Sequence, residues 1–258
     1  GNFSQKILKG YVTGPITDRV AFSLAGSINQ RDGYYENVGS GGDFNDRDRW
    51  ALRGQLLIEP SDNLQLRVIA DYDEIDEQCC GTERVIDGDA GFVIRDLLGG
   101  QTSGSDFSYT LASDFANENQ VENSGVSVQA DWNFGPDITL TSITALRNYE
   151  DFVDYEGDFT TLSLLFENVR GLDVTTFPQE FRLVGNWNNR VDYLFGGFYS
   201  NEDMTVDDAR IYGEDTRAYV EILTGGALTP LEAGLGFAPG TFFAPGGGTR
   251  FTAEQQDT

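Results

Sequence analysis

From Arg19 to Gln30 the chain alternates strictly. Val20, Phe22, Leu24 and Ile28 fall on one face, and Arg19, Ala21, Ser23, Ala25, Ser27 and Asn29 on the other. A period of two with one apolar face marks a β-strand, because successive Cβ atoms point to opposite sides of a sheet. The pattern recurs over 49–59, where Trp50, Leu52, Leu56 and Ile58 oppose Arg49, Arg53, Gln55 and Glu59. Over 63–73, Leu64, Leu66, Val68 and Tyr72 oppose Asn63, Gln65, Arg67 and Asp71. Over 125–134, Val126, Val128, Ala130, Trp132 and Phe134 oppose Ser127, Gln129, Asp131 and Asn133. Three noisier strands are expected at 137–150, 177–187 and 190–202, and a first strand at roughly 3–13. The total is about eight, each near the ~9–11 residues that a tilted membrane strand needs.

Alternation alone fits either a soluble sandwich or a membrane barrel. The connections separate the two. Short turns are expected at Gly14–Asp18, Pro60–Asp62, Gly135–Asp137 and Asn188–Arg190, each with turn-forming Gly, Pro, Asn or Asp. Long connections fall at about 31–47, 75–123, 151–176 and 203–258. Strict short–long alternation is the habit of outer-membrane barrels, with short periplasmic turns and long extracellular loops. Aromatic placement agrees. Trp132, Phe134, Trp187 and Tyr193 lie beside short turns, and Tyr34, Tyr35, Trp50, Tyr72, Tyr149 and Tyr199 near the long loops. Two such bands match the girdles of a membrane barrel. Residues 203–258 are expected as a long, Gly/Pro-rich extracellular loop. Both ends then lie on the extracellular side and no closing strand is seen at Glu254–Thr258, so an internal piece of a longer barrel is expected.

Composition removes other classes. The 258 residues include no histidine and carry a formal charge of −25. Nucleic acid is thereby excluded as a partner, since phosphate binding needs a basic surface. Histidine-based triads and His-rich zinc sites are excluded as well. Carboxylates are plentiful, but no pair is marked out for catalysis, and no enzyme activity is expected. No apolar run is long enough for a membrane helix.

Three stretches resemble barrel hairpins of TonB-dependent outer-membrane receptors. They are Gly14-Pro15-Ile16-Thr17-Asp18-Arg19-Val20-Ala21-Phe22 running to Arg31-Asp32-Gly33-Tyr34-Tyr35; Leu140 to Arg147; and Gln179-Glu180-Phe181-Arg182-Leu183 followed by Val191 to Tyr199. The resemblance covers most of 1–202. It implies an all-β chain, an antiparallel transmembrane segment from a barrel of about 22 strands with a plugged lumen. It further implies residence in the bacterial outer membrane among lipid and lipopolysaccharide. The work implied is uptake of a scarce nutrient such as a siderophore, cobalamin or carbohydrate, powered through TonB. No plug domain or energy-coupling segment is recognisable. Two other readings are a small eight-stranded structural or adhesive barrel and a secreted β-sandwich glycan-binding module.

Candidate residues follow from these faces. Arg53, Arg67 and Arg147 face the polar side with Arg19, Arg49, Asp71, Asp131 and Glu180, as a substrate path or, more in keeping with a plugged wall, as ion pairs. Tyr34 and Tyr35 lie at the mouth, to stack on a ligand or to pack a loop. Cys79 and Cys80 are the only cysteines. In an oxidising exterior they are candidates for a disulfide with each other, stapling the loop. Asp71, Asp73 and Asp76 are calcium candidates, since Ca2+ takes several oxygens, although their spacing does not match an EF-hand. Asp43–Asp48 and Asp87–Asp89 are similar acidic runs, and most such runs are solvated faces. No other cofactor is expected.

Overall fold

The computed structural model describes residues 2–84, 86, 88–104 and 107–257. Nine strands form one sheet, each antiparallel to the next: β1 (Lys6–Thr17), β2 (Val20–Arg31), β4 (Arg47–Ser61), β5 (Leu64–Glu77), β7 (Glu118–Asn133), β8 (Ile138–Asp154), β9 (Leu165–Trp187), β10 (Val191–Tyr212) and β11 (Gly248–Asp257). Two short strands, β3 (Glu36–Asn37) and β6 (Thr110–Leu111), pair in parallel within the loops. The all-β antiparallel architecture is the expected one, with a ninth strand added.

The register gathers the alternating residues into rows. Phe22 faces Leu56, Leu56 faces Val68, and Val68 faces Val128. A second row runs Leu64, Trp132, Leu140, Leu183, Phe195. Leu56, Val128, Trp132, Phe181 and Phe195 are all exposed. An apolar face this broad is not left open to water, whereas lipid covers it without cost. Ala209 is the one buried apolar residue of the nine-stranded sheet among the described residues; the others lie in the connections. With neither face covered by a second layer, the sheet is not half of a sandwich.

The short turns fall where the sequence places them, although β1 and β4 run on through Thr17 and Ser61. At Asn188 and Asn189 the backbone takes φ of 54° and 52°, a left-handed conformation that Asn tolerates better than most residues. Strands β9 and β10, of 23 and 22 residues, are about twice as long as the ~9–11 residues that a bilayer crossing needs.

The stretch 203–258 corrects the expectation of a single loop. Its first ten residues complete β10, and its last part is β11, registered from Glu202↔Asp257 to Ile211↔Gly248. Between them lie helices α1 (Thr216–Leu223) and α2 (Leu228–Leu235). The long connections carry their own core. Ile94, Leu162 and Leu164 cluster, with Leu98 and Tyr219 packed against them, which ties three connections together.

Candidate functional site

On the polar face, strand alternation brings Arg53, Asp71 and Arg147 together. Arg147 donates from Nη2 to Asp71 Oδ2 at 2.8 Å, and Arg53 Nη1 lies 3.7 Å from Asp71 Oδ1. Arg147 also donates to Asn123 Oδ1 at 2.9 Å, and Asn123 donates to Asp73 Oδ1 at 3.2 Å. With Lys9, these side chains line a shallow concavity of about 620 Å³ on the inner wall. The arrangement offers fixed positive and negative groups side by side, suited to polar contacts with a charged or hydrogen-bonding group. Arg67 is on the same face, opposite Leu57 and Gln129, but four residues along β5 from Asp71 and outside this group.

Tyr34 and Tyr35 stand apart from the arginines, where β2 leaves the sheet. Their amides both donate to the Phe44 carbonyl, at 3.0 and 3.2 Å. Their rings pack at 5.1 Å between centroids, with Tyr109 at 6.5 and 5.7 Å and Phe3 at 6.1 Å from Tyr34. The Arg31 guanidinium lies 5.1 Å from the Tyr34 ring centre, within cation–π range. Burial, helped by Glu83 and the neighbouring tyrosines, raises the Tyr35 hydroxyl above its usual value. Glu83 accepts from Ser108 N at 2.8 Å and Ser108 Oγ at 2.7 Å, which pins the strip bearing Tyr109. The result is a cluster of aromatic rings with one cation at the long-loop end, with Phe3 and Tyr109 still exposed.

Cys79 and Cys80 form a disulfide with each other. The Cys79 carbonyl accepts from Asn117 Nδ2 at 3.1 Å, so the pair joins the two ends of its connection. Asp71 and Asp73 point inward and are engaged as above, whereas strand alternation turns Asp76 to the opposite face. No group of three or more acidic or sulfur ligands placed to hold a metal occurs among the described residues. In the 43–48 run, Asp46 accepts from Gln78 N at 2.7 Å and Asp48 from Gln30 Nε2 at 3.1 Å. Asp87 lies outside the described residues.

Three groupings escaped the sequence reading. Glu77, its side chain fully buried, accepts from Arg49 Nη2 at 2.8 Å and Arg47 Nη1 at 3.1 Å. Alternation on β4 and β5 signals that these three share a face, but not that they meet. Glu232 is fully buried and accepts from Arg217, Gly240 N and Phe242 N. Asp114, Glu156 and Asp158 converge from two connections. No sequence signal marks the last two, because their partners lie on separate irregular segments.

No protein-family model matches the chain. Among solved structures it is similar to the ferric yersiniabactin uptake receptor FyuA from Yersinia pestis, at 14% identity and a TM-score of 0.62, over 82% of this chain and 30% of that one. It is also similar to the siderophore receptor PiuA from Acinetobacter baumannii, at 13% identity and a TM-score of 0.60, over 83% of this chain and 31% of that one. The chain thus spans about 30% of the length of these receptors. At such identities the likeness is one of fold: the chain has the fold of a run of barrel-wall strands from an outer-membrane receptor.

Proposed function

We propose that this chain is a wall segment of a TonB-dependent outer-membrane receptor that binds and imports a scarce nutrient, with a siderophore as the first class to test. One observation carries the reading. An uncovered apolar face runs along a nine-stranded antiparallel sheet, and that sheet superposes on the barrels of two siderophore receptors. The polar face supports it by presenting the Arg53–Asp71–Arg147 group toward a plug. The rings of Tyr34, Tyr35 and Tyr109, with Arg31 beside them, supply a surface at the mouth on which a flat or aromatic ligand stacks. The work is binding and gated passage, without covalent chemistry. The partners are lipid and lipopolysaccharide around the wall, a plug within it, and the TonB complex beneath.

Two measurements test this. Intact mass of the protein extracted from membranes with detergent is expected well above the 28.4 kDa of this chain; 28.4 kDa in the soluble fraction overturns the reading. Uptake of radiolabelled ferric chelates of the catecholate, phenolate and hydroxamate classes, and of labelled cobalamin and oligosaccharides, is compared with and without the gene. Loss of uptake of one class, restored by the gene, supports the proposal. Unchanged uptake of all of them contradicts it.

A further inference from the structure

The contact between residues 113–117 and 156–160 is built from carboxyl groups. Glu156 is fully buried. Its Oε2 accepts from Ser113 Oγ at 3.1 Å and Asp114 N at 3.4 Å, and its Oε1 from Asp158 N at 2.9 Å and Phe159 N at 3.2 Å. Its own amide donates to Asn117 Oδ1 at 2.7 Å. Four donors converge on the Glu156 carboxyl, which makes it the centre of the group. The carboxyls of Asp114 and Asp158 both lie against it. Asp114 Oδ1 and Asp158 Oδ2 are buried without a hydrogen-bond partner. Three carboxylates this close repel one another unless a proton is held between them.

Among the described residues, the groups facing the cluster are one cation, Arg84, and otherwise neutral or acidic side chains. Arg84 reaches this segment by donating to the Asp158 backbone carbonyl at 2.9 Å. Thr160 Oγ1 donates to Asp158 Oδ1 at 2.7 Å, and the Ser163 hydroxyl faces Asp114. From the segment after β10, Asp215 binds the Ser163 amide at 2.9 Å and adds a negative charge nearby. From the first connection, Ser40 contributes only neutral bonds, its amide to the Ser113 carbonyl at 2.9 Å and its hydroxyl to the Asp114 carbonyl at 2.5 Å.

We propose that this contact is a proton-dependent clasp between extracellular connections, closed while Asp114, Glu156 and Asp158 share protons among them and loosened when those protons are lost. Burial raises Asp114 to about 7 and Asp158 to about 6, and raises Glu156 as well. The sign follows. Closure is strongest below the ordinary carboxylate range and weakens as pH rises toward 7. The chain has no histidine, and both cysteines are in a disulfide. A near-neutral transition in these connections therefore has few other sources. The inference concerns loop mobility alone and does not depend on which nutrient is carried.

The test is hydrogen–deuterium exchange on the detergent-extracted full protein at about pH 5 and about pH 8, corrected for intrinsic exchange chemistry. Amides of Glu156, Asp158 and Phe159 are expected to lose protection by at least about tenfold at the higher pH, while β7 and β8 do not change. Asp114→Asn removes one of the two near-neutral titrations and is expected to reduce the pH response, and the double variant Asp114→Asn with Asp158→Asn is expected to hold the clasp closed at both pH values. Equal protection at both pH values in the unaltered protein overturns the proposal, as does a pH response in D114N equal to that of the unaltered protein. Loss of protection spread evenly over the barrel strands also overturns it.

Discussion

Arg147 binds Asp71 across an intervening strand. Asp71 on β5 faces Gly125 on β7, which faces Arg147 on β8. The guanidinium crosses over Gly125 to reach Asp71 Oδ2 at 2.8 Å. A Cβ at position 125 would sit 2.8 Å from Arg147 Nη1 and 3.0 Å from its Cζ. The glycine is thus what leaves the inner wall open for this contact. Because the atoms that would be struck belong to the far end of a flexible side chain, a larger residue is expected to displace Arg147 and spare the strand. Gly125→Val should cost about 0.5–1 kcal/mol, the worth of a partly exposed pair. In a double-mutant cycle with Arg147→Ala most of that cost should vanish, as read from urea unfolding in lipid vesicles.

The two faces of β7 should respond oppositely to charge. Val128 lies outward in the row with Leu56 and Val68, and Ser127 lies inward. Val128→Arg is expected to destabilise the folded barrel by about 2–4 kcal/mol, the cost of a cation near the bilayer midplane. Ser127→Arg should be nearly neutral. The same vesicle unfolding assay measures both.

Glu77 holds the ends of β4 and β5 together through Arg47 and Arg49. Glu77→Ala leaves both guanidinium groups without this acceptor. The arginines retain access to water, so the loss should be about 1–3 kcal/mol, below that of breaking a wholly buried pair. Faster amide exchange at 45–49 and 77–81, with β8 and β9 unchanged, is the expected readout.

Glu232 fixes the helical connection, and its pH response should run against that of the Asp114–Glu156–Asp158 contact. Burial opposes ionisation, but hydrogen bonds from Arg217 and from the Phe242 and Gly240 amides outweigh it and draw the carboxyl down to about 2. A lowered value means that the group stabilises the connection above the ordinary carboxylate range, and that this is lost as pH falls toward 2. Protection of the Gly240 and Phe242 amides should therefore decline in acid. Glu232→Gln should already show weakened protection at neutral pH and little further acid response.

The wall was legible in the sequence because lipid on one side and a polar interior on the other write a period of two into each strand. Val20 to Ile28 and Trp50 to Ile58 show this plainly. The legibility ended where the strands leave the bilayer. The run Thr249-Arg250-Phe251-Thr252-Ala253-Glu254 in β11 packs against no core and carries no clear apolar–polar alternation, so the sequence predicts a loop where the structure has a ninth strand. The upper parts of β9 and β10 were underestimated for the same reason. At the inner wall, the faces of Arg53, Asp71 and Arg147 could be assigned from parity. That Arg147 crosses Gly125 could not, because it depends on register between strands. Asp114 and Glu156 meet only through the packing of irregular connections, for which no periodicity exists.

The central claim is that one face of this sheet meets lipid and the other does not. Nitroxide labels placed singly at each position from Val126 to Trp132 test it directly, by their collision rates with oxygen, which partitions into lipid, and with a water-soluble nickel chelate. Oxygen collisions are expected to peak at 126, 128, 130 and 132 and nickel collisions at 127, 129 and 131. Nickel access at every position, with no alternation, would contradict it.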